Sequence, residues 1–405
     1  MDRSHTRRFP TPISHDGRDY LTTEQVAKVL GIKTSSIYSY VSRGRLRSVR
    51  IAGHDGSVFP VDEVETLLAG PRRRPPAGVA ERIRTQLTLL ADDHLYYRGH
   101  DATALARTRT VEQVAELLWE QPWQPVTVPA SVVRTARRAG GPQARGLDRI
   151  RFAVDLVGAR DPLRHTLEPR EVTTRAATAV TAAVDAVGEP GASNAEATLA
   201  QRLWVALSPE PPTPRRIRLL QAALVLQADH DMSAGTIAAR VAASARGSVY
   251  AVLGAGLGAF DGPIHGGATT LAYRFLAAGI DDPIGAVAAA RHAGTPIPGT
   301  GHVVYRSADP RAQTLLALVR RSGGGDRRVG PALTAIEEAL GETFVNSDLA
   351  LAAIALRYRM RPDAAETIFA VARMIGWVAH ALEEYQAPRL RFRPEGVYTG
   401  VRPRA

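Results

Sequence analysis

The stretch Gly299–Arg311, GTGHVVYRSADPR, gathers an imidazole (His302), a phenol (Tyr305), a carboxylate (Asp309) and two guanidinium groups (Arg306 and Arg311). Gly299 and Gly301 flank the turn before the histidine, where glycine lets the backbone approach a ligand and expose its N–H groups. Asp309-Pro310-Arg311 reads as a helix start, with Asp as N-cap and Pro at the first position. His302 is therefore expected on a glycine loop and Arg311 just inside the next helix. Such a loop suits a small dianion with a carbonyl to be polarised.

Two other turns share this character. Gly262-Pro-Ile-His-Gly-Gly-Ala268 sets His265 in a Gly/Pro turn that opens an apolar helix, and Val345-Asn-Ser-Asp348 sets a lone carboxylate, Asp348, at the start of another. Around them the chain reads as helix after helix. Val111–Trp119, Glu171–Val187, Ala195–Leu207, Arg215–Gln227, Ala234–Leu257 and Ala364–Glu384 are the examples, with Gly- or Pro-rich breaks at 188–194, 208–214 and 322–330. Only Leu87–Arg98 has much strand character. The expected fold class is all-α.

In this order, the GPxHGGA, GxGHxVYxxxDPR and NxD segments resemble the citrate synthase family, and the resemblance runs from about Asp93 to Gly400. Leu95-Tyr-Tyr-Arg-Gly-His-Asp101 is similar to that family's YRGYD segment. The resemblance implies a citrate synthase-like domain over 80–405, made of a large multi-helix part and a small closing part, roughly 230–345. It also implies a homodimer that condenses acetyl-CoA with oxaloacetate, with acetyl-CoA as cosubstrate and no metal or redox cofactor.

That condensation needs a base for a weakly acidic methyl group, a donor to the thioester oxygen and a donor to the ketone. By matched position the resemblance implies Asp348 as base, His265 as thioester donor and His302 as ketone donor. A 2-oxo diacid also needs guanidinium forks for its carboxylates. Arg311, Arg373 and Arg393 match these, Arg393 coming from the neighbouring subunit in the family, and His230 matches a further carboxylate contact.

The chain departs from the family pattern in four places. Gln227 stands where a histidine is common, Val303 where an arginine is usual and Thr300 where an aromatic is usual, and the segment before Tyr96 falls short of the usual form. His54, His292 and His380 have no motif around them; His292 and His380 read as helix residues. Two alternatives stay open: a 2-methylcitrate-forming reaction with propionyl-CoA, and a DNA-binding metabolite sensor whose helical domain mainly dimerises.

The N-terminal part reads differently. Residues 1–20 are expected to be a flexible tail and 21–69 a small domain. Thr22 with Gln25 forms a capping box, Val26, Val29 and Leu30 make an apolar stripe, and Gly31 ends the helix. A second helix, Ser35–Arg43, is expected with Thr34 as its cap and Ile37 and Val41 facing in. Residues 45–50 and 57–60 are expected to pair as a hairpin wing, with a third helix at 62–68. The segment is similar to helix-turn-helix domains of the MerR and excisionase type, matched at Tyr20-Leu21, Val26-Ala27, Leu30-Gly31, Ile37-Tyr38, Val41, Gly44, Leu46, Arg50 and Phe59. The resemblance implies contact with double-stranded DNA through Lys33, Ser35, Ser36, Tyr38, Arg43, Arg45, Arg47 and Arg50. Residues 70–79, Pro/Arg-rich, read as a linker.

Composition narrows the classes. With 405 residues, 45% of them apolar and 22% charged, the chain has room for one large and one small globular domain. It has no cysteine, which excludes disulfides, thiolate nucleophiles and cysteine-bound metals. No run of about 18 apolar residues suggests a membrane span, and the first dozen residues have no apolar core of a signal peptide, so a cytoplasmic location is expected. The net charge of +11 rests almost wholly on arginines spread along the chain, and so points only weakly to a polyanion partner. Residues 1–75 hold 13 Lys and Arg against 8 Asp and Glu, a net of +5.

Overall fold

The computed structural model describes residues 10, 12–15, 18–51, 53–69, 83–188 and 196–392. The chain divides into two units, one up to Ile83 and one of Arg84–Arg393. The linker expected at 70–79 lies outside the described residues.

The first unit runs β1 (Ile13–His15), β2 (Arg18–Thr22), α1 (Thr23–Leu30), α2 (Thr34–Ser42), β3 (Val58–Pro60) and α3 (Val61–Ala69). The capping box is present: Gln25 N–H donates to Thr22 Oγ1 at 3.2 Å and Thr22 N–H to Gln25 Oε1 at 2.8 Å. Gly31 closes α1 with φ 68°. Leu21, Val26, Ile37, Leu46, Phe59 and Val64 form the core of this unit.

Three expectations need correcting here. The tail ends before residue 20, because β1 pairs with β2 and the buried Tyr20 and Leu21 anchor β2. The wing is not a hairpin of 45–50 with 57–60: β3 pairs with β2, burying Phe59 beside Leu21, and residues 45–50 meet it only at Val49↔Val58. Lys33, not Thr34, occupies the cap position of α2, with no side-chain cap bond. Lys33, Ser35, Tyr38, Arg43, Arg45, Arg47 and Arg50 are exposed and Ser36 partly so, with Tyr38 66% exposed. Arg47 is held by Glu63 at 3.0 Å.

The second unit opens with a small antiparallel sheet, β4 (Thr88–Ala91), β5 (His94–Tyr97) and β6 (His100–Asp101). The tight β4–β5 turn is made by Asp92 and Asp93, both left-handed with φ 49° and 58°. Helices follow: α4 (Ala102–Thr108), α5 (Val111–Trp119), α6 (Ala130–Ala139), α7 (Gly146–Ala159), α8 (Pro169–Val187), α9 (Leu199–Leu207), α10 (Pro214–Leu226), α11 (Ala234–Ser244), α12 (Val249–Phe260), α13 (Ala268–Ala278), α14 (Pro283–His292), α15 (Pro310–Arg321), α16 (Val329–Leu340), α17 (Ser347–Arg357) and α18 (Ala364–Gln386). Side-chain caps start many of them, as at Thr110, Thr198, Thr213, Ser248, Asp309 and Asn346.

Helix α18 is the centre of this unit, packed by α5, α7, α8, α10, α11, α12, α13 and α17. It is long and apolar enough to cross a membrane, yet 94% of its apolar window is buried inside the fold. Trp377, fully buried, fits because Gly235 and Gly256 face it; a Cβ there would come within 2.8 and 2.6 Å of the indole. Large-to-small changes at such a site cost about 3–5 kcal/mol. The run Ala234–Leu257 is not one helix. It breaks between Ser244 and Val249, where Arg246 turns left-handed (φ 60°) and its guanidinium donates to the carbonyls of Glu384 and Ala387 at 3.0 and 2.6 Å. That tertiary anchor leaves no mark on local helical spacing. The helix expected from Ala195 starts at Leu199, capped by Thr198.

Candidate active site

Two of the three motif loops, those of His302 and Asp348, are joined by hydrogen bonds. Gly299 takes φ 79°, and a Cβ there would stand 2.7 Å from Leu349 Cβ, so the His302 loop can lie on α17 only because residue 299 is glycine. Asn346 joins the two elements: its N–H donates to Gly299 O, its Nδ2 to Gly301 O, and its Oδ1 accepts from Asp348 N–H, each at 2.9 Å. Asp348 is thereby fixed in the first turn of α17. Asp309 caps α15 through Arg311 N–H and accepts Ser347 N–H at 2.9 Å. His265 lies in the turn between α12 and α13, its ring packed between Phe260 and Phe369 at 5.0 and 6.0 Å.

His230 follows α10. Its Nε2 lies 2.9 Å from the Tyr305 hydroxyl, and its ring centroid is 5.0 Å from that of His302. The segment carrying it presses on α18 at Gly376, where a Cβ would meet Ala228 O at 2.4 Å.

The two described arginines differ in how far the protein already uses them. Arg311, 3% exposed, spends its fork on Asp309, with Nε to Oδ1 at 3.0 Å and Nη2 to Oδ2 at 2.8 Å. Its Nη1 is left with a long contact, 3.4 Å, to Gln227 Oε1. Arg373, 1% exposed, donates through Nε to Gln227 O at 2.9 Å, while its Nη2 has no hydrogen-bond partner. Gln227 Nε2 is likewise buried without one. Buried donors are nearly always paired, so two orphans on neighbouring groups mark where acceptors of a ligand would sit. Arg393, the third expected fork, lies outside the described residues.

Electrostatics separate the roles. Burial pushes the Asp348 carboxyl up to about 6, with Arg311 opposing. Burial and the arginines push His265 and His302 down to about 4, so both are neutral at pH 7. Val304 N–H donates to His302 Nδ1 at 3.1 Å, which leaves the ring proton on Nε2, free to donate. His265 Nδ1 is 3.5 Å from Ala259 O, too long to hold its proton firmly. Burial lowers Arg373 to about 10, still charged at neutral pH. Its positive charge bears on His230, His265, His302, Tyr305 and Asp348 alike.

The structure thus brings together six of the seven residues singled out for chemistry. Sequence reading overlooked Tyr305 as a partner of His230, and read His380 only as a helix residue. His380 is fully buried and bridges Arg240 Nε, which donates to its Nδ1 at 3.0 Å, and Asp229 Oδ2, 3.2 Å from its Nε2. The only signal for this was Asp229 itself, one residue before His230.

A many-helix scaffold enclosing neutral imidazoles, a carboxyl near pKa 6 and two unpaired donors, one a guanidinium and one an amide, defines an enzyme-like site for a small anion. The Citrate synthase, C-terminal domain family model matches residues 80–395 and a Helix-turn-helix domain model matches 20–72. The citrate synthase of Haloferax volcanii is 30% identical over 372 residues, covering 82% of this chain and 97% of the relative. Citrate synthase 2 of Bacillus subtilis is 27% identical over 347 residues, covering 78% and 93%. The crystal structure of citrate synthase from Pyrobaculum aerophilum superposes with TM-score 0.69 at 25% identity, covering 80% of this chain and 92% of that one. The Thermoplasma acidophilum enzyme, solved with carboxymethyl coenzyme A and oxaloacetate, has the same fold, with TM-score 0.67 at 21% identity, covering 81% and 96%. The chain belongs to the citrate synthase family.

Proposed function

We propose that the chain condenses acetyl-CoA with oxaloacetate, releasing citrate and coenzyme A, as a homodimer. The observation that carries this reading is the pair of buried unpaired donors, Arg373 Nη2 and Gln227 Nε2, set among Asp348, His265 and His302. The donors take the carboxylates of the 2-oxo acid, with His230 and the weakly engaged Nη1 of Arg311. His302 Nε2–H polarises the ketone. Asp348 removes a methyl proton from the thioester while His265 donates to the thioester oxygen. The enol carbon attacks the ketone, and water then hydrolyses the thioester. Ile264 and Val303, 96% and 101% exposed beside the two histidines, offer apolar surface suited to the pantetheine arm.

The test follows free thiol from acetyl-CoA with and without oxaloacetate, a measurement to which this cysteine-free chain adds no background. Oxaloacetate-dependent release supports the reading; no release from acetyl-CoA or propionyl-CoA by folded dimer sinks it. Faster turnover with propionyl-CoA would favour 2-methylcitrate formation, a choice worth only about 1–3 kcal/mol per methylene.

The pH profile carries its own expectation. Asp348 must be ionised to act as base, so kcat/KM should fall about tenfold per pH unit below about 6. The two histidines, already neutral above about 4, should impose no loss between pH 7 and 8. Initial rates from pH 4.5 to 8.5 check this, and an acid limb centred near pH 4 would reassign the base.

A second activity is favoured by the first unit, whose α2 and following loop expose Lys33, Tyr38, Arg43, Arg45 and Arg50. This unit binds double-stranded DNA with α2 in the major groove, while Arg47, engaged by Glu63, contributes less. Fluorescence anisotropy on DNA from the protein's own locus should show site preference, with log K falling by about 0.9 per log unit of salt for each phosphate contact. Arg45→Ala should reduce that slope by about one. Weak, sequence-blind binding would remove the regulator reading.

A further inference from the structure

We propose that Asp93, at the tip of the β4–β5 turn, is a positioning residue that fixes the His302 loop, so that this hairpin braces both segments that hold the 2-oxo acid. The Asp93 carboxylate accepts Arg306 N–H at 2.7 Å on Oδ1 and, on Oδ2, Ser307 N–H at 2.9 Å and Ser307 Oγ–H at 2.5 Å. These donors directly follow Tyr305, which is buried, touches His230 and lies 4.8 Å ring to ring from His302. The loop is therefore pinned at Gly301 by Asn346, at 306–307 by Asp93 and at Asp309 by Ser347, with His302 and Tyr305 between the pins.

The other end of the same hairpin holds the other substrate segment. Thr88 Oγ1 donates to Asp229 Oδ2 at 2.5 Å, and the Tyr97 hydroxyl lies 3.0–3.2 Å from the carbonyls of Val225, Leu226 and Asp229. One rigid turn of chain thus sets the separation of His230 from His302. The backbone is unusual where it does so. Asp92 and Asp93 both occupy left-handed conformations that favour glycine, and such strain persists where surrounding contacts over-determine it. The Ser307 hydroxyl first, then the Arg306 and Ser307 amides, hold the Asp93 carboxyl down at about 2, so it stays an acceptor at any working pH.

The inference rests on the reading of His302 as ketone donor, and the test separates the two. The full chain is compared with Asp93→Gly and Asp93→Asn, both of which accept a left-handed backbone. Gly removes every acceptor; Asn keeps one oxygen for the two amides. For each, hydrogen exchange of residues 301–309 is measured by mass spectrometry beside kcat and both KM values. The expected result for Asp93→Gly is faster exchange in that segment alone and a fall of roughly 10- to 100-fold in kcat/KM for oxaloacetate, the scale of a small misplacement near the chemistry. KM for acetyl-CoA stays unchanged, and Asp93→Asn recovers most of the loss. Unchanged exchange, unchanged oxaloacetate kinetics, an equal rise in KM for both substrates, or equal damage in Asn and Gly would each overturn the brace. If the unaltered chain releases no thiol, that failure belongs to the condensation reading. The brace is then judged on exchange and on oxaloacetate binding by calorimetry, where an unchanged Kd in Asp93→Gly overturns it.

Discussion

Asp348→Asn is expected to reduce oxaloacetate-dependent thiol release by roughly 10²–10⁴-fold, the range a positioned general base contributes. The isosteric amide keeps the α17 N-terminus intact, since Asp348 enters the cap bond to Asn346 Oδ1 through its backbone N–H and not its side chain. Oxaloacetate binding should therefore survive while kcat collapses. The same change should stabilise the fold at alkaline pH. The Asp348 carboxyl is raised from 3.8 to about 6, so the native state holds its proton more tightly than the unfolded chain does. Its favourable contribution is complete below about pH 4 and is lost as pH rises through about 6. Above that, the ionised group costs about 1–3 kcal/mol, given 1.36 kcal/mol per pH unit and some solvent screening. A higher Tm for Asp348→Asn at pH 8, vanishing at pH 4, is the expected signature. A variant that retains more than a tenth of the activity would remove Asp348 from the role of base.

Arg373→Met should raise KM for oxaloacetate by roughly 10²-fold or more. A buried charged hydrogen bond to a carboxylate is worth about 2–5 kcal/mol when one partner is removed. Arg373 is the residue on which that energy is concentrated, because the fork of Arg311 is already engaged by Asp309, whereas Arg373 keeps a charged donor, Nη2, without a partner. Binding can be read without turnover. The unaltered chain should melt higher in millimolar oxaloacetate, by the mass-action stabilisation of a ligand that binds only the native state. Arg373→Met should lose that shift. A KM within twofold of the unaltered chain would assign the carboxylates to other groups.

Much of the candidate site was legible because its signals are local. Gly299, Gly301 and Asp309-Pro310 declare a turn and a helix start within a few residues, and both the turn and the Asp309 cap are present. Asn346-Ser347-Asp348 declares a capped helix in the same way. The readings that failed were those in which a distant group decides. Ala234–Leu257 looks like one helix until Arg246 finds the carbonyls of Glu384 and Ala387. The wing strand looks ready to pair with its neighbour in sequence, but burying Phe59 beside Leu21 sends it to β2. His380 looks like any helical histidine until Asp229 and Arg240 are seen on either side of its ring.

By itself, the sequence determined the helical class, the family, the small N-terminal helix-turn-helix and the residue types the chemistry needs, because periodicity, caps and turn residues act over three or four positions. Only the tertiary structure decided which of those residues are spent and which are free. Asp309 takes the fork of Arg311, Arg373 keeps an unpaired donor, Asp93 reaches across the chain to Arg306 and Ser307, and desolvation lifts Asp348 toward the pKa of a working base. Charge state and hydrogen-bond partner depend on what lies within a few ångströms in space, and for these groups most of those neighbours lie tens to hundreds of residues away along the chain.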